Sequence, residues 1–171
     1  MTSTISHAIK HRTTAKDVFY TPSAVARHHI SLIPAVEGEV WFDAFRGKGI
    51  YYNNFPGAAK DWCEITEDKD FFIYSGKVDV ICTNPPYSLL DKIFVKSIEL
   101  KPRVISYLLL HGAMTPKRMK LFNDAGYGLT GIYITKVFKW YGMAEAYTFE
   151  KDKPNLATIS YDRIVHRPDA E

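Results

Sequence analysis

The apolar positions of this chain change their period in a regular order. Residues 39–44 hold Val40, Trp41, Phe42 and Ala44 with little polar interruption, which predicts a strand covered on both faces. Residues 61–65 read as a second short strand and residues 78–83 as a third, the latter stopped by Asn84-Pro85-Pro86-Tyr87. The spacing then becomes helical over residues 88–100, with Leu89, Leu90, Ile93, Phe94, Ser97 and Ile98 on one stripe. Residues 104–110 return to a continuous apolar run broken only by Ser106. Thr115-Pro116 opens another helix that ends near Gly126, and residues 130–138, 144–150 and 157–162 read as closing strands. Upstream, Thr21-Pro22-Ser23 starts a helix running to about Leu32, with proline in the first turn where a missing N–H does no harm. Strands alternate with helices and finish in a strand pair, so the expected fold is α/β: a mostly parallel sheet flanked by helices, with an antiparallel edge.

The total of 171 residues suits one domain with one core. The expected division is a flexible segment at 1–16, the domain at 17–165 and a tail at 166–171. Apolar residues at 46% and charged residues at 24% are ordinary for a soluble globular chain. No apolar run is long enough to span a bilayer, and the polar N-terminus lacks the apolar middle of a secretory signal, so a cytoplasmic or intracellular setting is expected. A net charge of +3 is compatible with nucleic acid without demanding it. Cys63 and Cys82 sit in apolar runs and read as small buried hydrophobes; no cysteine and histidine spacing suits zinc, and no metal is expected. His28 and His29 are adjacent, point in different directions on a helix, and read as surface or substrate-side residues.

The strongest chemical signal is the run from Asp79 through Asn84-Pro85-Pro86-Tyr87. Two prolines fix the backbone and remove N–H donors, leaving carbonyl acceptors beside the Asn84 side-chain oxygen. Acceptors held this way can take both hydrogens of a flat –NH2 group. Its nitrogen lone pair then leaves conjugation and can attack an electrophilic methyl. Tyr87 offers a ring for a planar substrate. A buried strand's carboxyl end is also where ligands bind in open α/β sheets.

Asn-Pro-Pro-Tyr resembles the catalytic motif of the amino-methyltransferases, the family of the DNA adenine N6 methyltransferases. Phe42-Asp43-Ala44-Phe45-Arg46-Gly47-Lys48-Gly49 resembles the family's cofactor loop, Trp62-Cys63-Glu64-Ile65 the strand that ends in the ribose-binding acid, and Asp70-Phe71-Phe72 the element at the cofactor's adenine. Asp17-Val18-Phe19-Tyr20-Thr21-Pro22 resembles the segment that closes over the cofactor's methionine end. The matches span most of the chain, and its small size is most similar to phage and viral members. The resemblance implies a single Rossmann-like class I methyltransferase domain, seven-stranded in type but abbreviated between strands 2 and 4. It implies S-adenosyl-L-methionine as cofactor, held by Tyr20, Thr21, Pro22, Asp43, Phe45, Gly47, Gly49, Glu64, Ile65, Asp70, Phe71 and Asn84. Catalysis falls to Asn84, Pro85, Pro86 and Tyr87.

Residue chemistry agrees with these roles. Gly47 and Gly49 let the backbone approach a ligand and turn into a helix. Asp43 can accept from an ammonium group, Glu64 from both ribose hydroxyls in a bidentate pair, and Asp70 from an adenine amine. Lys117, Arg118 and Lys120, with Lys136, Lys139, Trp140 and Tyr141, combine charge and aromatic rings as nucleic-acid binding requires, although a solvated helix face explains the first three equally well.

Some positions depart from the family pattern. Ala44 stands where proline is usual, and Arg46 and Lys48 bring positive charge to the loop of a cationic cofactor, so both are expected to point outward. No insertion is large enough for a target-recognition domain; loops, the N-terminal segment, the tail or a partner chain, a second copy included, must select the substrate. The expected activity is methyl transfer to adenine N6 in nucleic acid, DNA ahead of RNA. Protein glutamine N5, cytosine N4 and a non-catalytic cofactor-binding subunit of a methyltransferase complex remain as alternatives.

Overall fold

The computed structural model describes residues 21–137 and 142–162. Tyr20, Lys139, Trp140, Tyr141 and the two expected terminal segments lie outside the described residues.

The first helix, α1 (Ser23–Ser31), follows Pro22 and buries Val25, Ala26, His29 and Ile30. β1 (Trp41–Asp43) is buried throughout and runs through the glycine turn into a short helix, α2 (Ile50–Asn54). β2 (Lys60–Trp62) is followed by 3₁₀ turns at Ile65–Glu67 and Phe71–Ile73 and then by β3 (Val80–Thr83). A 3₁₀ turn, Tyr87–Leu89, leads into α3 (Leu90–Glu99), so the helical period at 88–100 begins with a tighter turn. β4 (Val104–Leu110), α4 (Pro116–Asp124), β5 (Tyr127–Thr135), β6 (Ala144–Lys151) and β7 (Thr158–Tyr161) complete the described chain.

These strands form one seven-stranded sheet in the order β2-β1-β3-β4-β6-β5-β7. All neighbours are parallel except at β6, which runs antiparallel to both β4 and β5. The antiparallel strand therefore sits inside the sheet rather than at its margin, because β7 adds in parallel outside β5. At the other margin the chain crosses from β2 to β3 through two 3₁₀ turns alone, the abbreviation that the resemblance implies.

The continuous apolar run of β4 has its cause here: helices cover both faces of the sheet's centre. On one face Ile81, Ile105, Tyr107 and Phe149 pack under Phe94 of α3 and Phe122 of α4. Phe122 stacks on Phe149 at 4.1 Å between ring centres, and its truncation to alanine would cost about 3–5 kcal/mol. On the other face Trp41, Val80, Cys82 and Val104 meet Ala26 and Ile30 of α1 and Tyr51 of α2. Cys63 and Cys82 are both buried.

His29 is not a surface residue. It is fully buried, with Nδ1 2.9 Å from the Tyr51 hydroxyl and Nε2 2.7 Å from Ser106 Oγ, which in turn lies 2.8 Å from Thr148 Oγ1. Position 29 falls on the Val25, Ala26 and Ile30 stripe, and that helical period carries it inward while His28 stays exposed. Burial, followed by the neighbouring charge of His28, lowers the pKa of His29 to about 3, so the ring is neutral at physiological pH.

Candidate active site

The cleft of interest opens at the carboxyl ends of β1, β2 and β3, and has a volume of about 890 Å³, part of it open to solvent. Its wall comes from the loop after β1 with the first turn of α2, from Glu64 and Ile65 beyond β2, and from the turn after β3. Thr21, just ahead of α1, completes it.

The loop is shaped from behind by Asp43. Its carboxylate is buried and does not reach the cleft wall. Oδ1 accepts from Thr83 Oγ1 at 2.7 Å and from the Phe45 N–H at 3.3 Å, while Oδ2 accepts from the Tyr52 N–H at 3.2 Å. Burial pushes its pKa up to about 6, against the opposing pull of those three hydrogen bonds. Expected to accept from a ligand's ammonium group, Asp43 here accepts from Thr83 and from the backbone N–H groups of Phe45 and Tyr52 that flank the loop. Gly47 (φ 50°) and Gly49 (φ 83°) take left-handed backbone that side chains rarely adopt, and a Cβ at Gly49 would approach Asn53 Nδ2 to 3.2 Å.

Glu64 stands on the wall as expected, and the loop already uses it. Oε2 accepts from the Gly47 N–H at 2.9 Å, and Oε1 accepts from the Thr66 N–H at 3.2 Å and the Thr66 hydroxyl at 2.8 Å. Burial alone would raise its pKa, but these hydrogen bonds and the charge of Arg46 hold it below the ordinary range, so it is ionised. A carboxylate offers about four acceptor positions, and the remaining one is on Oε2. A ribose diol can therefore take one bond at once and the second only if Thr66 yields.

Arg46 does not point outward. Its guanidinium lies 3.7 Å above the Trp62 ring and pairs with Glu67, while its buried Nε finds no hydrogen-bond partner among the described residues. Lys48 is exposed at the cleft rim.

In the Asn84 turn, Pro85 is buried and Asn84, Pro86 and Tyr87 are half-buried along the wall. Asn84 Nδ2 donates to Thr21 Oγ1 at 3.1 Å, and the Tyr87 hydroxyl donates to Asn84 Oδ1 at 3.1 Å. Thr21, expected at the cofactor, thus also orients the amide.

Other expected residues fall elsewhere. Pro22 caps α1. Asp70 caps a 3₁₀ turn by accepting from the Phe72 N–H at 2.8 Å, and Phe71 packs edge-on against Phe45 at 5.2 Å. Pro22, Gly49, Asp70 and Phe71 do not line the cleft. Lys117, Arg118 and Lys120 lie on α4, also away from it. Arg118 ties α4 to α3 through Asp91 at 2.8 Å, and Lys120 pairs with Asp124 at 2.6 Å. Ile50 and Tyr51 line the cleft, though sequence reasoning does not single them out; the apolar pair directly after Gly49 is the available signal.

No protein-family model and no curated protein sequence matches the chain. Solved structures do. Magnesium protoporphyrin IX methyltransferase from Synechocystis, with bound SAM, aligns over 84% of this chain and 80% of its own at 12% identity and TM-score 0.61. The fold is that of the class I methyltransferases. An RNA methyltransferase candidate from Pyrococcus horikoshii aligns over 78% of this chain and 87% of its own at 16% identity and TM-score 0.59. The M protein of the type I restriction enzyme EcoKI covers 96% of this chain at 12% identity and TM-score 0.56, and the chain spans 53% of it. In all these comparisons the likeness is of the class I methyltransferase fold.

Proposed function

We propose that the chain is an S-adenosyl-L-methionine-dependent methyltransferase acting on the N6 amine of adenine in nucleic acid, DNA ahead of RNA. The observation that carries this reading is the Asn84 amide, fixed at both ends by Thr21 and Tyr87 on the wall of a cleft at the carboxyl end of the sheet. The cofactor supplies an electrophilic methyl group on a sulfonium. The cleft fits such a molecule in its donor set: the ionised Glu64 keeps one acceptor position for a ribose hydroxyl, and exposed Ile65 gives an apolar surface for a flat ring. Phe45 and Gly47 border the same space.

Asn84 Oδ1 and the carbonyls of the proline turn accept from the substrate –NH2, drawing its lone pair out of conjugation. A bound cofactor would supply the methyl group to that nitrogen, its sulfur keeping the electrons of the broken carbon–sulfur bond, and the methylated nitrogen would release its proton to solvent. Tyr87 serves as the stacking surface for the base. A target inside a duplex must be flipped to reach it.

Incubation of purified protein with tritium-labelled cofactor and separate DNA, RNA and protein pools tests this. Label in DNA that digests to N6-methyl-2′-deoxyadenosine is expected. Label confined to protein would favour the glutamine reading, and no label in any pool would leave a binding subunit.

A further inference from the structure

Asp43 and Glu145 are the two buried carboxylates among the described residues, and both lie at the sheet's ligand end. Asp43 closes β1; Glu145 is second in β6, whose reversed direction brings its start beside the end of β4. The role of Asp43 is to hold the cleft loop. Glu145 has a parallel arrangement with a different residue to hold. Its Oε1 accepts from His111 Nδ1 at 2.7 Å, and its other oxygen accepts from the Tyr147 hydroxyl. The His111 side chain is 64% exposed while that of Glu145 is 10% exposed, so a buried anion anchors a ring that stands in solvent. The His111 N–H also donates to the Met143 carbonyl at 3.0 Å. Anchored at Nδ1 and at its backbone, the ring presents Nε2 on the solvent side, with no hydrogen-bond partner among the described residues.

Burying a carboxylate is costly unless its acceptors are filled, and a purely structural site could be apolar at no loss. What the arrangement adds is a fixed imidazole. Its place is informative: Thr83 pairs with Tyr107 and Leu109 with Glu145, so Glu145 lies two strand spacings, roughly 10 Å, from Asn84. On the other side of β6, Thr135 pairs with Ala144, and exposed Lys136 follows directly. His111 and Lys136 thus flank the start of β6, at the same end of the sheet as the turn that receives the base.

We propose that His111 and Lys136 contact phosphodiester groups of the substrate strand beside the target base, and that Glu145 is the positioning residue for His111. The inference rests on the nucleic-acid reading above. In its charged form His111 donates from both nitrogens, Nδ1 to Glu145 and Nε2 to a phosphate oxygen.

The test is fluorescence anisotropy of a fluorescein-labelled, adenine-containing DNA oligonucleotide, single-stranded and duplex, across a salt series. Cofactor-product affinity is followed by calorimetry. His111→Gln and Lys136→Gln should each weaken DNA binding about tenfold, as for one charged hydrogen bond. Lys136→Gln should also flatten the salt dependence by about one unit, because one phosphate is no longer neutralised, and cofactor affinity should be unchanged in both variants. Glu145→Gln should reproduce the His111→Gln effect and add nothing in the His111→Gln background, an outcome general destabilisation would not give. Wild-type affinity and slope in the two Gln variants would overturn the proposal. If wild-type protein bound neither this DNA nor an RNA oligonucleotide of the same sequence, the nucleic-acid reading would fall with it, and the two failures separate at that first measurement.

Discussion

The Tyr87 hydroxyl donates to the side-chain oxygen of Asn84 at 3.1 Å, so the aromatic residue of the turn does two jobs. Its oxygen orients the amide, and in the proposed reaction its ring, on the cleft wall, stacks on the base. Two substitutions separate them. Tyr87→Phe keeps the ring and removes a bond of about 0.5–1.5 kcal/mol, and should lower turnover severalfold with substrate affinity unchanged. Tyr87→Ala should in addition weaken substrate binding by roughly 1–3 kcal/mol, the contribution of one stacked base. Equal substrate affinity in both variants would remove the stacking role.

In the proposed reaction Glu64 would hold a cofactor hydroxyl with the acceptor position that Gly47 and Thr66 leave over. Glu64→Ala should weaken cofactor binding by roughly 1.5–3 kcal/mol, the range for a hydrogen bond to a charged group. Thr66→Ala frees Oε1, which now accepts twice from Thr66, by removing one of those donors. It should leave cofactor affinity equal or tighter. Calorimetry with the demethylated cofactor reads both, and a loss of affinity in Thr66→Ala would mean that Glu64 needs Thr66 to hold its rotamer.

Two buried groups give stability opposite pH slopes. His29 has a folded pKa of about 3 against 6.5 unfolded, so between those values only the unfolded state takes the proton and stability rises with pH. Asp43 has a folded pKa of about 6 against 3.8 unfolded, so between those values only the folded state keeps the proton and stability falls as pH rises. Each contributes up to about 1.4 kcal/mol per pH unit, and over the shared window they offset each other. Denaturant melts from pH 4 to 6 should therefore show a steeper rise with pH in Asp43→Asn than in wild type, and a shallower rise or a fall in His29→Gln. Parallel pH profiles in all three proteins would contradict the burial account.

On the basic helix, Arg118 and Lys120 are engaged with Asp91 and Asp124, which leaves exposed Lys117 as the member best placed for phosphate. Replacing all three with alanine should flatten the salt dependence of nucleic-acid binding by no more than about one unit. An unchanged slope would make α4 a solvated face.

Much of this is legible in one dimension. β4 can be read to the residue because a central strand buried on both faces needs an unbroken apolar run, and the turn at Asn84 because two prolines admit few backbones. Glu64 is found from its place at the end of a strand. What stays hidden depends on partners distant in sequence. Arg46 turns inward because Trp62 and Glu67 receive it, and Asp43 faces the loop because Thr83 and Tyr52 donate to it. The His111 and Glu145 pairing forms only because β6 inserts beside β4, a register that no local pattern encodes. His29 is different: its helical period points inward, and only its chemistry suggests the surface.

The account stands on Asn84 more than on any other residue, since Thr21 and Tyr87 both orient it. The direct measurement is single-turnover methyl transfer to adenine-containing DNA by wild type and Asn84→Ala, with cofactor affinity determined on the same samples. Loss of one positioned acceptor of developing charge should lower the rate by about 10²–10³, by analogy with an oxyanion-hole donor, while the variant still folds and binds cofactor. Near-normal transfer by the folded Asn84→Ala variant would contradict the amino-methyltransferase reading.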